Sequence, residues 1–263
     1  MNKHSNAPLL LQQVHDGIAT LTLNRPDARN ALSMAMMGEM LEAFRALGED
    51  RSVNVVILAA AGPGFCAGHD LKELGSKPSR EIYHAVFRRC GELMQTIVAL
   101  PKPVIAQVHG IATAAGCQLV ATCDLVVAAE EARFATPGVN IGLFCSTPMV
   151  ALSRAVPNKQ AMEMLLTGDM ISASRAREIG LINRVVPAGE LASTTMALAR
   201  QIAGKSPLVV KIGKEAFYAQ KEMGLAGAYE YASEVMTTNM MARDAAEGIN
   251  AFIQKRPPVW RGE

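Results

Sequence analysis

Apolar positions in the first sixty residues follow two periods in turn. Residues 9–15 and 17–23 alternate or run apolar on either side of Asp16-Gly17, which predicts a β-hairpin. Asn24-Arg25-Pro26-Asp27 has turn chemistry. Ser33 then reads as the N-cap of a helix to about residue 47, with Met37, Met40, Leu41 and Phe44 at helical spacing. Residues 53–60 form a continuous apolar run of strand length. Gly62-Pro63-Gly64 breaks it, and a loop is expected through residue 74.

A helix is predicted over residues 80–100, stopped by Pro101 and Pro103. Residues 104–108 and 125–129 read as strands, and residues 115–122 as a short helix between them. Residues 134–138 form a short extended piece leading into a turn. Helical spacing returns at 148–156, 159–167 and 174–179, and the last strand is 183–186. Beyond it, residues 190–203, 207–220, 225–239 and 243–254 all read as helices with no strand between them. The chain therefore divides into an α/β core over residues 1–205 and a helical C-terminal segment over 206–263, with the boundary near Lys205-Ser206-Pro207. Strands come two to a helix, which predicts a spiral of ββα units rather than a doubly wound sheet.

Composition narrows the possibilities. Half of the 263 residues are apolar, enough for one large core. A net charge of +2 gives no whole-protein electrostatic case for nucleic acid or a membrane surface, so neither is expected as a partner. Cys66, Cys90, Cys117, Cys123 and Cys145 are odd in number and show neither a CxxC pair nor zinc spacing. They read as reduced thiols with no metal site. The most apolar stretch, residues 104–129, is interrupted by Gln107, His109, Gln118 and Asp124 and is no membrane span. Residues 1–11 lack a signal-peptide core and an Arg-rich amphipathic pattern, so a cytoplasmic location is expected.

Two segments carry chemistry. Gly62 to Leu71 (Gly-Pro-Gly-Phe-Cys-Ala-Gly-His-Asp-Leu) follows a buried strand, and its glycines allow a ligand close to the backbone. Gly110-Ile111-Ala112-Thr113-Ala114-Ala115-Gly116-Cys117-Gln118 follows another strand and opens a helix whose first amides are free and partly positive, a site for an oxyanion. Taken singly, the first fits an ordinary surface loop as well, and the second fits close helix–strand packing.

Taken together they resemble the crotonase (enoyl-CoA hydratase/isomerase) superfamily. Asn24-Arg25-Pro26 through Asn30-Ala31-Leu32 is similar to its early turn, and Phe65 to Leu71 to its first signature. Gly110 to Asp124 resembles the second signature, Phe134-Ala135-Thr136-Pro137 the third, and Ala251 to Arg256 the C-terminal end. The resemblance implies a crotonase-like spiral core, a helical trimerisation region, and a homotrimer or hexamer acting on an acyl-CoA thioester. It implies no tightly bound cofactor, coenzyme A entering as part of the substrate. By position, an oxyanion hole falls to the backbone N–H groups of His69 and Ala115. Coenzyme A contacts fall to Arg25, Ala28, Cys66, Ala67, Asp70 and Leu71, with Phe252 and Lys255 reaching the nucleotide of a neighbouring subunit. Arg25, Lys255 and Arg256 equally fit solvated surface charges.

The pattern departs from the family at the two positions where hydratases carry glutamates around the catalytic water. These are Gln118 and Gly138 here. An amide cannot accept a proton at neutral pH and glycine has no side chain, while general acid–base help is worth ~10²–10⁴ per group. The leading expectation is an acyl-CoA enzyme, a lyase of fatty-acid-type metabolism, with weak or altered hydratase chemistry. Two others stay open. In one, His69 serves a lyase resembling the methylmalonyl-CoA decarboxylase branch, although the tyrosine expected soon after the third signature is replaced near Cys145. In the other, the protein binds acyl-CoA without catalysis. Cys145 reads as a small buried thiol and Asp124 as a turn cap. Met34, Met36, Met37 and Met40 read as core or pocket lining, and His84 and His109 are set aside.

Overall fold

Asp16 and Gly17 both take positive φ (50° and 75°), as a tight hairpin turn requires, and join β1 (Leu10–His15) to β2 (Ile18–Leu23). The computed structural model describes residues 7–76 and 78–263. The first six residues, part of the stretch read for targeting signals, lie outside the described ones. Ser33 caps α1 (Met34–Glu49), its hydroxyl accepting from the Met36 N–H at 3.2 Å. Met36, Met37 and Met40 are fully buried on the helix face that meets the core, so these methionines are packing and not pocket lining.

Next come β3 (Val55–Ala60), β4 (Gly64–Cys66), α2 (Leu71–Ser76), α3 (Arg80–Ala99), β5 (Val104–Val108), β6 (Ile111–Thr113), α4 (Ala115–Thr122), β7 (Leu125–Ala129) and β8 (Arg133–Ala135). A 3-10 turn over Pro137–Ile141 leads to α5 (Ser146–Ala155), α6 (Asn158–Thr167), β9 (Ile171–Ser172), α7 (Ala173–Glu178), β10 (Arg184–Val186) and α8 (Leu191–Ala203). The chain closes with α9 (Pro207–Gln220), α10 (Leu225–Met240) and α11 (Arg243–Gln254).

The large sheet has the order β1-β2-β3-β5-β7-β10 and is parallel beyond the first hairpin. The small sheet has the order β4-β6-β8-β9. In each of the pairs β3/β4, β5/β6 and β7/β8, the first strand joins the large sheet and the second the small one, and helix follows. That alternation is the ββα spiral expected from the sequence. Both faces of the large sheet are covered, which is why its strands read as continuous apolar runs. Leu21, Val56, Leu58 and Ala106 face the main core with α1 and α3. Ile18, Val55, Ile57, Ile105 and Val127 face the other way, onto Leu191, Leu198 and Ala199 of α8.

The C-terminal helices are tied to the core through one buried ammonium. Lys214 on α9 donates to the carbonyls of Ile97 and Lys102, both at 3.0 Å, and to Asp124 Oδ2 at 2.6 Å. Asp124 also accepts from the Val104 N–H (2.7 Å) and the Tyr218 hydroxyl (2.9 Å). Instead of the local turn cap expected from its place in the sequence, its side chain thus holds the start of β5 and anchors α9. By contrast, α10 has no buried residue. Among the described residues no helix is long and apolar enough to cross a membrane, and no group of three potential ligands could hold a metal ion.

Candidate active site

The site begins with Asn30. Its buried side chain accepts from the Arg25 N–H (2.8 Å) and donates to the carbonyls of Ala61 (2.8 Å) and Gly64 (2.9 Å), pinning the early turn against the loop that follows β3. Arg29 and Asn30 both take positive φ there. Two further backbone bonds bring this turn onto the next segment: Ala67 N–H to the Arg29 carbonyl at 3.0 Å, and Leu32 N–H to the Gly68 carbonyl at 2.8 Å. Arg25 completes the join by an ion pair to Asp70 at 2.6 Å. Burial alone raises the Asp70 carboxyl. Hydrogen bonds from Arg25 and from the Glu73 and Lys72 amides outweigh it and hold the carboxyl below its ordinary value. Arg25, Ala28, Cys66, Ala67, Asp70 and Leu71 thus share one corner of the fold, with the Leu71 side chain well exposed.

The second loop packs against the first because its contact residues lack side chains. A Cβ on Gly110 would sit 2.9 Å from the Pro63 carbonyl, and one on Gly116 would run into the Cys66 carbonyl. Gly68 takes φ +94°, and a Cβ there would lie 3.2 Å from the Ala115 nitrogen. Thr113 reinforces the seam by donating to the Ala67 carbonyl at 3.1 Å. Ala115 opens α4, and neither its N–H nor that of His69 donates to another group among the described residues. The His69 amide thus follows directly on Gly68, and the Ala115 amide lies at the positive end of a helix.

The His69 ring lies edge-on to Phe87 of α3, with centroids 5.4 Å apart. Both of its nitrogens are buried with no hydrogen-bond partner among the described residues. Burial lowers its pKa, opposed in part by the Leu32 backbone, so the ring is neutral near pH 7. Gln118 stands three residues beyond Ala115 on the same face of α4 and is buried. Its Oε1 accepts from the Cys90 thiol at 3.7 Å. Of the four candidate catalytic positions, only Gln118 lines the cavity of about 800 Å³ bounded by α3, α4, α5 and α9.

Gly138 lies in the 3-10 turn after β8. A Cβ on it would lie 2.5 Å from the Leu143 carbonyl and 2.9 Å from the Cys145 sulfur. The room for a side chain at 138 is thus already filled. Cys145 is buried as expected, and burial raises its pKa against a hydrogen bond from Gly138 that lowers it. Phe252 and Lys255 are not brought to this site. They lie at the exposed end of α11, and no hydrogen bond or ion pair among the described residues links that helix to the early turn or the first signature. Sequence reasoning missed the role of Cys90. Its only signal was a cysteine on the core face of a helix, which is indistinguishable from packing.

A ββα spiral with two glycine-bearing loops seamed at Gly68 and Ala115 is the crotonase fold. The enoyl-CoA hydratase/isomerase family model matches residues 13–263, and the chain belongs to that family. Members bind acyl-CoA substrates. The crystal structure of an enoyl-CoA hydratase from Mycobacterium smegmatis is 55% identical, with a TM-score of 0.95 over 97% of this chain and 99% of that one. That of human enoyl-CoA hydratase domain-containing protein 3 is 49% identical, with a TM-score of 0.94 over 96% and 100%. The mouse protein of that name, described as mitochondrial, is 50% identical over 245 residues, 93% of this chain and 82% of its own length. This finding overturns the expected cytoplasmic location. Reduced cysteines indicate a reducing compartment but do not separate cytosol from mitochondrial matrix.

Proposed function

We propose that the protein binds an acyl-CoA thioester and stabilises its enolate with the backbone N–H groups of His69 and Ala115, with weak or altered hydratase chemistry. The observation that carries this reading is the approach of Gly68 to the Ala115 nitrogen, with both flanking amides unused. A thioester enolate gathers charge on one oxygen. Two preorganised donors beside a helix N-terminus meet it without reorganising, and losing one such donor typically costs ~10²–10³ in rate. His69 contributes through its amide, while its neutral ring is buried against Phe87, outside the cavity that Gln118 lines. Gln118 can hold a water but cannot accept that water's proton, and Gly138 offers no side chain.

Coenzyme A lies along Arg25, Ala28, Cys66, Ala67, Asp70 and Leu71, and no other cofactor is required. Phe252 and Lys255 reach the nucleotide of a neighbouring copy in a homotrimer or a hexamer built from two trimers. The exposed α10 and the 85% exposure of Phe252 support that arrangement. The name of the mouse relative supports a mitochondrial setting. The test is incubation with crotonyl-CoA and with a 3-enoyl-CoA, followed by calorimetry for binding and mass spectrometry for products. Binding with slow hydration is expected. Rapid hydration contradicts the reading of positions 118 and 138, and absence of binding by any CoA ester overturns the whole.

A further inference from the structure

We infer that the cavity bounded by α3, α4, α5 and α9 takes the acyl chain and that Cys90 positions the Gln118 carboxamide with its NH₂ group toward it, so that the site donates a hydrogen bond to an acyl group already oxygenated at C3. This rests on the acyl-CoA reading above. Gln118 follows Ala115 by three residues, and long helical side chains lean back toward the helix N-terminus. A thioester whose oxygen sits on the Ala115 N–H therefore brings its third carbon near this amide, since helical neighbours at that spacing are about 5–6 Å apart.

Which end of the amide meets the ligand is decided on the other side. Cys90 is fully buried on α3, and its thiol contacts Gln118 Oε1 at 3.7 Å. Burial pushes that thiol up to about 12, so it stays a donor at neutral pH. A thiol matches a carbonyl oxygen better than an NH₂ group, because sulfur is a weak acceptor. The Nε2 group donates to nothing among the described residues, and Gln118 lines the cavity. A carboxylate at this position would present acceptors to a water. The held amide presents donors instead, so the polarity of the site is reversed.

Dissociation constants for acetoacetyl-CoA and butyryl-CoA, measured calorimetrically on the full chain, test the inference. Acetoacetyl-CoA should bind about three- to tenfold more tightly, the scale of one hydrogen bond. Gln118→Met and Cys90→Ala should each bring the ratio close to one, while Cys90→Ser, which keeps a donor, should preserve it. The ratio compares two ligands on one variant, so general loosening of the core does not move it. A ratio near one in the unmodified protein, or one unchanged by Gln118→Met or Cys90→Ala, overturns the inference and leaves the thioester reading standing. Failure of both esters to bind overturns that reading, and the inference falls with it.

Discussion

Gln118 and Gly138 look alike in sequence, as two lost carboxylates, but they differ in what surrounds them. Gln118 has a side chain in a cavity, so Gln118→Glu should raise crotonyl-CoA hydration, by up to ~10² if the new carboxylate serves as base. Loss of the conjugated-thioester absorbance measures it. Gly138→Glu should bring no gain and should destabilise the protein by about 1–3 kcal/mol, because its Cβ meets the Leu143 carbonyl and the Cys145 sulfur. A urea titration checks the stability and the same absorbance assay the activity. Asp70 gives a pH prediction. Its carboxyl is depressed in the folded protein, so its contribution is present above the ordinary carboxylate range and is lost as pH falls through the depressed value. Arg25→Met should move that loss to higher pH, visible as a raised Asp70 midpoint in a carboxyl-carbon NMR titration.

At the level of elements, the long segments were legible, as were the short α4, α7 and β10, but β4, β6, β9 and α2 were not. Helices α1, α3 and α8 to α11, the first hairpin and strands β3, β5 and β7 carry several periods of pattern each, and they fall within a residue or two of expectation. Strands β4, β6 and β9 have two or three residues each, with glycine, alanine, cysteine, threonine and serine prominent. No alternation can show in so little chain, and what makes them strands is pairing in the small sheet. Helix α2 was hidden for a similar reason: it is only six residues long, and its first four lie where a loop was read. The seam between the loops was legible as glycines, but their contacts were not, since Gly116 meets Cys66 across fifty residues of chain. Lys214 also escaped notice, because nothing in its helical spacing distinguishes a buried ammonium from a solvated one. Removing it leaves Asp124 buried without its cation, so Lys214→Ala should cost about 3–5 kcal/mol in urea denaturation. A Lys214→Met, Asp124→Leu pair should cost less than the single change.

The whole molecule leaves a large apolar surface uncovered. Leu225, Tyr229, Met236 and Met240 of α10 are exposed, as are Phe252 and Ile253 beyond them. Sedimentation should therefore give the mass of a trimer or its double, and Tyr229→Asp with Met236→Asp should shift it toward the single chain. The family identity and the spiral could be read before any coordinates, because the signatures are in register along the chain. The choice between trimer and hexamer could not, because an apolar stripe on a helix does not say how many copies it meets. Filled space at position 138 also has a consequence for redesign: an acid there takes at least two changes, one that clears the 143–145 loop from the room and one that installs the carboxylate, whereas position 118 accepts its carboxylate in a single step.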